Sequence, residues 1–303
     1  MRLGVLDVGS NTVHLLVVDG HRGAHPWPAH SEKALLRLAE RIGPAGTLST
    51  AGADALVESV RAARKSAEEL NAEELVAFAT SAVRDATNVA EVLARVRDEA
   101  GVDLKVLSGE DEARTTFLAV RRWFGWSAGR LLALDIGGGS LEIAAGIDEE
   151  PEAALSLPLG AGRLTRQWLS GDLPSAKVDQ LREYVEAKLA KVAVAGWDRA
   201  AATSKTFRTL ARLAGAAPTS AGLWTPRSLT LRGLQQVLKF IHHMPVSAVA
   251  QMDGVNADRA PQLLAGAVVA EATMRVLGVD SVDICPWALR EGMILQRLDA
   301  LFR

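Results

Sequence analysis

The chain begins with two short apolar runs that a small, polar turn separates. The first run is RLGVLD, residues 2–7, and the second is VHLLVVD, residues 13–19; both are rich in Val and Leu. Such runs predict β-strands, and the VGSNT segment between them has the residue types of a hairpin turn. The N-terminal pattern therefore predicts a β-hairpin, which we call the first hairpin.

Helix-like and strand-like segments alternate through the rest of the first half. Helices are predicted where apolar residues recur at helical spacing, and strands where short apolar runs stand alone. The predicted helices are 51–70, 88–101 and 109–126, and the predicted strands are 74–80 and 102–107. Segment 31–46 has a composition that suits a helix, but residues 33–38 alternate as in a strand. Both interpretations of that segment stay open.

The hairpin pattern returns at LLALDIGGGSLEIAAG, residues 131–146, which we call the second hairpin. After it, the pattern predicts strands at 153–160, 197–204 and 281–285, and helices at 175–196, 231–244, 258–278 and 287–302. The strand at 197–204 is expected to lead into a turn. The GWSAGR segment just before the hairpin places a boundary near residues 125–127, giving domains 1–125 and 126–303. Whether the last helix packs back on the first domain stays open.

Two similar halves, each headed by a hairpin whose turn carries Asp and Gly, indicate a phosphate site. Gly lets the backbone approach a ligand closely, and consecutive N–H groups in such a turn form an anion-binding nest. Asp7 and Asp135 end the first strand of each hairpin, where a carboxylate can hold a Mg²⁺ ion that bridges phosphate oxygens. One such turn is equally typical of an ordinary tight turn, but two copies favour phosphate binding.

The composition limits the class of protein further. The 303 residues are 49% hydrophobic, and 34 basic against 36 acidic residues give a net charge of −2, which argues against a general nucleic-acid or membrane binder. The single cysteine, Cys285, excludes a disulfide framework and a Cys-based zinc site. No apolar run approaches the length of a membrane span, and the N-terminus lacks the features of a signal peptide. We therefore expect a cytoplasmic protein.

Five segments, in this order along the chain, resemble the exopolyphosphatase and guanosine pentaphosphate phosphatase family. They are LDVGSNTVHLLV, ATSAVRDATN, LSGEDEART, LDIGGGSLEIA and ALREGMIL, and the resemblance extends from residue 3 to residue 295. That family belongs to the superfamily of actin, sugar kinases and heat-shock ATPases. The resemblance therefore implies an α/β fold with two ribonuclease-H-like domains that flank a cleft.

The resemblance also implies roles for single residues. Glu112 matches the family's catalytic base, and Arg84 matches an arginine that contacts phosphate. The implied ligands of Mg²⁺, with Mn²⁺ as an alternative, are Asp135, Glu142 and Asp7. The implied phosphate-binding residues of the two hairpins are Gly9, Ser10, Asn11, Thr12, Gly137, Gly138, Gly139 and Ser140. Without the resemblance, GEDE would be read as an acidic first helical turn, which the helix dipole favours.

Two segments depart from the family's usual pattern. AATSKTFRTL has residues 203–206 in place of the family's A-S-G-T, and Lys205 is either an added phosphate ligand or a solvated loop charge. We include Lys205 among the candidate phosphate-binding residues. Arg163, on the turn LGAGRLTR, has the same two interpretations. Longer members of the family carry a further C-terminal helical module that this sequence lacks, so we expect a preference for shorter polyphosphates.

The leading hypothesis is a Mg²⁺-dependent exopolyphosphatase, which removes orthophosphate from the end of inorganic polyphosphate. The nearest alternative is hydrolysis of guanosine pentaphosphate (pppGpp) by the same residues. An ATP-dependent kinase or ATPase of the superfamily is disfavoured, since AATSKTFR lacks the Gly-Gly turn of an adenosine pocket. A non-catalytic phosphate sensor is disfavoured by the complete set of catalytic candidates. The resemblance further implies a homodimer, with polyphosphate and guanosine nucleotides as ligands.

Overall fold

The computed structural model describes residues 1–21, 26–169, 175–194 and 196–301, which form a mixed α/β structure. The strands are β1 Arg2–Val8, β2 Thr12–Asp19, β3 Trp27–Leu35, β4 Glu74–Ala79, β5 Lys105–Val106, β6 Leu131–Ile136, β7 Leu141–Gly146, β8 Ala153–Leu157, β9 Arg199–Thr203, β10 Ser228–Thr230 and β11 Ser281–Ile284. The helices are α1 Thr50–Glu69, α2 Ser81–Arg84, α3 Val89–Arg95, α4 Gly109–Phe124, α5 Ala161–Trp168, α6 Ser175–Leu189, α7 Ser204–Leu213, α8 Leu231–His242, α9 Val246–Val249, α10 Ala260–Leu277 and α11 Leu289–Leu301.

Contacts divide the chain into two compact units. Unit 1 comprises Met1–Thr115 and Leu289–Arg303, and unit 2 comprises Thr116–Ala288. This division differs from the predicted domains, 1–125 and 126–303, because it falls inside α4 and because α11 belongs to unit 1. Gly292 explains part of the second difference: a side chain there would overlap the backbone of Thr115, so only glycine lets α11 lie this close to α4.

Unit 1 is a five-stranded sheet in the order β3-β2-β1-β4-β5. β1 pairs with β2 antiparallel and with β4 parallel, and side chains alternate between the two faces of the sheet. One face packs with α1 in a core that includes Leu6, Leu15, Leu56 and Val60. The opposite face packs with α11 in a second core that includes Leu3, Val5, Phe78, Ile294 and Leu298. The last helix therefore covers one face of the first sheet.

The segment whose type the sequence left open is mostly a strand. Residues 31–35 belong to β3, which pairs antiparallel with β2, and a 3-10 helix follows at Leu38–Arg41. The helical interpretation is therefore wrong for 31–35. The outer edge of β2 has backbone N–H and C=O groups to which residues 31–35 bond as a strand. Leu36 and Leu38, which follow the strand, pack in the core.

Unit 2 repeats the arrangement around a six-stranded sheet in the order β10-β11-β9-β6-β7-β8. β6, β7 and β8 form an antiparallel meander as β1, β2 and β3 do, and β9 pairs with β6 in parallel as β4 pairs with β1. The predicted internal repeat is thus present in the structure. The apolar helix α10 packs against α5, α6 and α8. Within the described residues no helix has the length and apolarity needed to cross a membrane.

Two helices of unit 2 lie where the sequence predicted turns. α5 begins at Ala161 after Gly160, and α7 begins at Ser204, whose φ of 78° is unusual for a residue other than glycine. Both helices are short and follow a turn-forming residue, so their first residues resemble loops in sequence. The prediction that residues after 203 form a turn is wrong, and Lys205 lies in the first turn of α7 rather than in a loop.

Candidate functional site

The turn of the first hairpin is held from one side by the segment that follows β3. Gly9 N donates to Thr12 O at 3.0 Å, which closes the turn. The carbonyl of Asn11 accepts hydrogen bonds from the backbone N–H groups of residues 36 and 37, both at 2.9 Å, and that of Ser10 accepts from residue 39 at 3.1 Å. In a trans peptide the N–H of the next residue points opposite to the carbonyl. The N–H groups of residues 11 and 12 therefore face away from residues 36–39.

The turn of the second hairpin is held in the same manner by α5. Gly137 N donates to Ser140 O at 2.9 Å, and the carbonyls of residues 137, 138 and 139 accept from Ala161 N, Arg163 N and Arg163 Nε at 3.0, 2.9 and 2.8 Å. No peptide bond among the described residues is cis, so the N–H groups of residues 138, 139 and 140 point away from α5. Three consecutive N–H groups on one side have the arrangement of an anion-binding nest, which we call the nest, and phosphate binding there stays a prediction.

The close approach of α5 to this turn depends on glycine at position 160. A side-chain carbon at Gly160 would overlap backbone atoms of both Gly139 and Ser140. Residue 160 is the N-cap of α5, so the chain enters the helix directly against the hairpin. Gly160 is not among the residues predicted for the site, although the spacing of the glycines in LGAG indicates a close backbone approach.

The two predicted catalytic residues are in direct contact. Arg84, the last residue of α2, donates through Nη1 to Glu112 Oε1 and to the carbonyl of Leu107, the latter at 3.1 Å. Its Nε lies 3.4 Å from Asp85 Oδ1. Glu112 is only 6% exposed. The guanidinium fixes the position of the buried carboxylate and compensates its charge. A group that orients a reactant must be fixed in this way.

The neighbouring acids of GEDE behave as an ordinary helix start. Glu110 pairs with Arg114 one turn further along α4, at 2.6 Å, and both side chains are substantially exposed. Asp111 accepts from the hydroxyl of Ser108, and its own N–H donates to that hydroxyl, which is the usual capping arrangement. Only the third acid, Glu112, turns into the protein. The structure thus separates it from the two acids that fit the helix-dipole explanation.

A buried pair of hydroxyl groups joins the first hairpin to α2. Ser10 Oγ lies 3.0 Å from Ser81 Oγ. Ser81 begins the helix that ends at Arg84, so this bond and the Arg84–Glu112 pair connect the first hairpin, α2 and α4 within unit 1. The arrangement is compatible with the predicted role of Ser10 as a hydrogen-bonding group, and that role stays a prediction.

Sequence reasoning missed a cluster beside Asp7. His14 is the cross-strand partner of Asp7, and Arg290 of α11 lies 3.7 Å from Asp7 Oδ2 and 3.2 Å from His14 Nε2. Ser31 Oγ lies 2.8 Å from the same His14 nitrogen. A guanidinium can only donate, so His14 Nε2 can serve as an acceptor in this contact. Asp7 thus has a cationic neighbour, and its predicted role as a metal ligand stays a prediction.

Asp135 and Glu142 lie side by side on one face of the second hairpin. They are direct cross-strand partners on β6 and β7. Glu142 is 6% exposed and accepts a hydrogen bond from Ser156 Oγ at 2.9 Å. Two carboxylates suit a Mg²⁺ ion, which binds proteins through one or two such groups and takes other oxygens from phosphate or water. Among the described residues no group of three or more His, Cys, Asp or Glu side chains is arranged for a metal.

Lys205 lies in the wall of a pocket in unit 2. The neighbouring Thr206 donates through Oγ1 to the carbonyl of Ile136 at 3.1 Å, which ties the start of α7 to the end of β6. The pocket is lined by Ala161, Lys205, Thr206, Thr209, Val255, Asn256, Arg259, Gln262 and Leu263. Lys205 as a phosphate ligand stays a prediction. Arg163, by contrast, uses its Nε to hold the hairpin at Gly139.

Comparisons with known proteins agree with this fold. The model of the Ppx/GppA phosphatase family matches residues 17–301. Exopolyphosphatase 1 of Mycobacterium tuberculosis is 60% identical over 306 aligned residues, covering 99% of this chain and 89% of the relative. A guanosine-5'-triphosphate,3'-diphosphate pyrophosphatase of Aeromonas hydrophila is 29% identical, covering 95% of this chain and 58% of that protein.

The likeness extends to solved structures. The crystal structure of the Aquifex aeolicus member of the Ppx/GppA family superposes with a TM-score of 0.86 at 25% identity, covering 100% of this chain and 99% of the other. The predicted fold, two ribonuclease-H-like domains of the actin-like superfamily, is confirmed by this likeness together with the two repeated sheets.

Proposed function

Because this chain belongs to the Ppx/GppA phosphatase family, we propose that it is an exopolyphosphatase. It hydrolyses the terminal phosphoanhydride bond of inorganic polyphosphate and releases orthophosphate. The observation that carries this choice of substrate is the high identity to the mycobacterial exopolyphosphatase, which the Aeromonas pyrophosphatase does not approach. The geometry of both hairpins and of the Arg84–Glu112 pair supports phosphate chemistry in general.

The nest of the second hairpin would bind the phosphate oxygens. Its three N–H groups, at residues 138–140, are fixed in direction because the carbonyl of each of the same three peptide units accepts a hydrogen bond from α5. Donors that are fixed before the reaction stabilise the charge of the transition state without a reorganisation cost, and this is commonly the largest catalytic term. The absence of side chains on residues 137–139 leaves these donors accessible to a polyanion.

Glu112 is our proposed general base, and Arg84 its partner. Glu112 takes a proton from water as the water oxygen bonds to the terminal phosphorus. The bridging P–O bond breaks, and the remaining chain leaves one phosphate shorter. Arg84 holds the carboxylate of Glu112 through Nη1, and its predicted contact with a phosphate stays part of this proposal.

Asp135 and Glu142 would hold the metal, which we propose to be Mg²⁺, with Mn²⁺ as the alternative. The ion would neutralise phosphate charge and orient the substrate. Ser156 keeps the Glu142 carboxylate in place through its hydroxyl. A cytoplasmic location, a homodimer, guanosine nucleotides as ligands and a preference for shorter chains stay predictions.

The test is a comparison of substrates with the purified protein. Phosphate release is measured from tripolyphosphate, from long polyphosphate, from pppGpp and from ATP, each with Mg²⁺, with Mn²⁺ and with a chelator. We expect a higher kcat/KM for polyphosphate than for pppGpp, and loss of activity with the chelator. A higher kcat/KM for pppGpp would reject our choice of substrate, and equal rates of ADP formation from ATP would favour an ATPase instead.

A further inference from the structure

We propose that Arg290 of α11 is a positioning residue for the reaction, because it fixes the carboxylate of Asp7 beside the first hairpin turn. Its guanidinium uses two nitrogens: Nε lies 3.7 Å from Asp7 Oδ2, and Nη1 lies 3.2 Å from His14 Nε2. A side-chain carbon on Gly9 would lie 3.9 Å from Asp7 Oδ1, so that oxygen lies against the turn. Arg290 thus contacts one oxygen of Asp7 and leaves the other at the turn. This inference rests on the proposed function, since it adds a residue to the same site.

The side chains that Arg290 contacts lie in a row across neighbouring strands. Asp7 is the register partner of His14, and Ser31 is two residues from Lys33, the register partner of His14 on β3. Register partners, and residues two apart on one strand, share a face of the sheet. Ser31 Oγ lies 2.8 Å from the same His14 nitrogen that faces Arg290, and His14 is only 7% exposed. The imidazole is therefore held in place and limits the directions that the guanidinium can take.

The packing of α11 on the sheet brings Arg290 to this row. Ile294 and Leu298 pack with Leu3 in one core, and Arg290 precedes Ile294 by one helical turn on the same side of the helix. Leu298 lies at the beginning of β1, where a side-chain carbon on Gly20 would overlap it. The apolar stripe of the helix thus follows β1 from its beginning, and the arginine continues the stripe to the end of the strand.

α11 also contacts α4 one turn beyond Glu112. A side-chain carbon on Gly292 would overlap the carbonyl oxygen of Thr115, and Gln296 Nε2 donates to Thr115 Oγ1 at 3.3 Å. Thr115 is only 3% exposed, so the contact is buried. One helix therefore holds both Asp7 and the part of α4 that carries the proposed base. Groups that act on one substrate must be held in this way, since a small misplacement of either costs much of the rate.

A second arginine of α11 provides a matched control. Arg297 donates through Nε to Glu74 Oε2 at 2.8 Å, and both side chains are about one third exposed. Like Arg290, it joins α11 to an acid of the first sheet, but Glu74 begins β4 and is not a candidate site residue. Arg290 is less exposed, at 20% of its side chain, and shares its guanidinium between Asp7 and His14. Loss of either arginine removes one contact between helix and sheet, and only Arg290 contacts the hairpin.

The test compares Arg290→Ala with Arg297→Ala. We measure kcat and KM for polyphosphate, with and without millimolar guanidinium, and with sodium chloride at the same concentration. We expect kcat of Arg290→Ala to fall about 10²-fold, as for a misplaced reacting group, and guanidinium to raise it again about tenfold. Sodium chloride should restore nothing, and Arg297→Ala should keep the wild-type kcat. Wild-type kcat in Arg290→Ala overturns the inference, and so does a loss that guanidinium does not restore or that both variants share.

A second variant covers the case in which Arg290→Ala does not fold. Arg290→Lys keeps the positive charge and most of the stem but presents one nitrogen in place of the two that face Asp7 and His14. We expect its kcat to fall about tenfold at an unchanged melting temperature. An unchanged kcat would overturn the inference.

The inference can be tested separately from the choice of substrate. If the wild type hydrolyses pppGpp or ATP but no polyphosphate, the proposed function fails, and the same variants are compared with that nucleotide. If it hydrolyses none of them, urea denaturation of Asp7→Asn, Arg290→Gln and the double variant decides. Residues in contact give non-additive changes, so we expect the double variant to lose less stability than the sum of the single losses. Additive losses would show that Arg290 does not hold Asp7 and would overturn the inference.

Discussion

The first and second hairpins occupy the same place in the two halves of the repeat. Each follows a strand with Asp near its end, and in each the glycine N–H that opens the turn bonds to a carbonyl three residues later. In each, a later segment of the chain binds the turn carbonyls from one side, at residues 36–39 in unit 1 and in α5 in unit 2. Both turns therefore share one feature. Their carbonyls accept hydrogen bonds from a later segment of the chain, and the N–H groups of the same peptide units point in the opposite direction.

The two turns differ in what they present on that free side. The first has two such N–H groups, and its tip residues Ser10 and Asn11 are polar and buried, whereas the second has three N–H groups in a turn of three glycines and Ser140. The segment that holds the first turn includes Arg37 with a φ of 50°, but the one that holds the second is a regular helix. The same topology therefore carries two turns of different composition.

The acids beside the two turns differ as well. In unit 1, Asp7 faces the guanidinium of Arg290, and the catalytic candidate Glu112 comes from a separate helix. In unit 2, Asp135 and Glu142 stand next to each other on the hairpin itself. The two halves of the repeat therefore place their carboxylates differently, on a separate helix in unit 1 and on the hairpin itself in unit 2.

The largest effect is expected from Glu112→Gln. The amide keeps the shape of the side chain and a carbonyl oxygen for Arg84 but cannot accept the proton, so kcat for polyphosphate should fall about 10²- to 10⁴-fold. The control is Glu110→Gln in the same helical turn, whose exposed pair with Arg114 makes it a matched change outside the candidate site. Steady-state kinetics check both. Near-normal turnover by Glu112→Gln would assign the base elsewhere.

Gly160→Ala tests the second hairpin alone. The added methyl group overlaps the backbone of Gly139 and Ser140, so the turn must shift and its three N–H donors lose their common direction. By analogy with the loss of a fixed oxyanion donor, we expect kcat/KM to fall about 10²- to 10³-fold. Gly43→Ala is the control, because a methyl group there makes only an ordinary contact with the backbone of Thr47. Full activity of Gly160→Ala would mean that this turn does not bind the phosphate.

Local patterns were sufficient for much of the fold. Both hairpins, α1, β4 and α10 follow from periodicity, because each has a long or strongly apolar pattern with clear ends. α5 and α7 were missed because both are short and because a residue typical of turns stands at the start of each, Gly160 just before α5 and Ser204 as the first residue of α7. Their helical state depends on packing against the ends of β6 and β9, a contact between segments far apart in sequence.

Site residues that belong to a family motif could be predicted from the sequence. Residues that reach the site only through tertiary contacts could not. Glu112 was chosen by resemblance, and burial then separates it from Glu110 and Asp111. Arg290 belongs to the segment ALREGMIL, which resembles the family. Its contact with Asp7 joins residues from opposite ends of the sequence, so no local pattern could predict the contact. The roles of Glu112 and of the metal ligands stay predictions.

Arg163→Lys tests whether the hydrogen bond from Arg163 Nε to the second turn is needed to hold that turn in place. Lysine keeps the positive charge but has no Nε donor to place against Gly139 O, so the turn loses one of its three carbonyl bonds. We expect kcat/KM to fall about tenfold with little change in melting temperature. The control, Arg166→Lys, lies exposed on the same helix. If Arg163→Lys retains full activity, the Nε bond of Arg163 to the hairpin is not needed for catalysis.

The smallest effect is expected from Ser10→Ala in the first hairpin. Removing the hydroxyl deletes the buried contact with Ser81 Oγ and should lower the free energy of unfolding by about 1 kcal/mol, measured by urea denaturation. Activity should fall only a few-fold, because on our proposal Ser10 positions the turn and takes no covalent part in hydrolysis. Ser81→Ala, which removes the other partner of the same contact, should give a similar loss of stability. A Ser10→Ala variant as inactive as Glu112→Gln would instead indicate a nucleophilic serine, and the first hairpin would then carry chemistry that the second lacks.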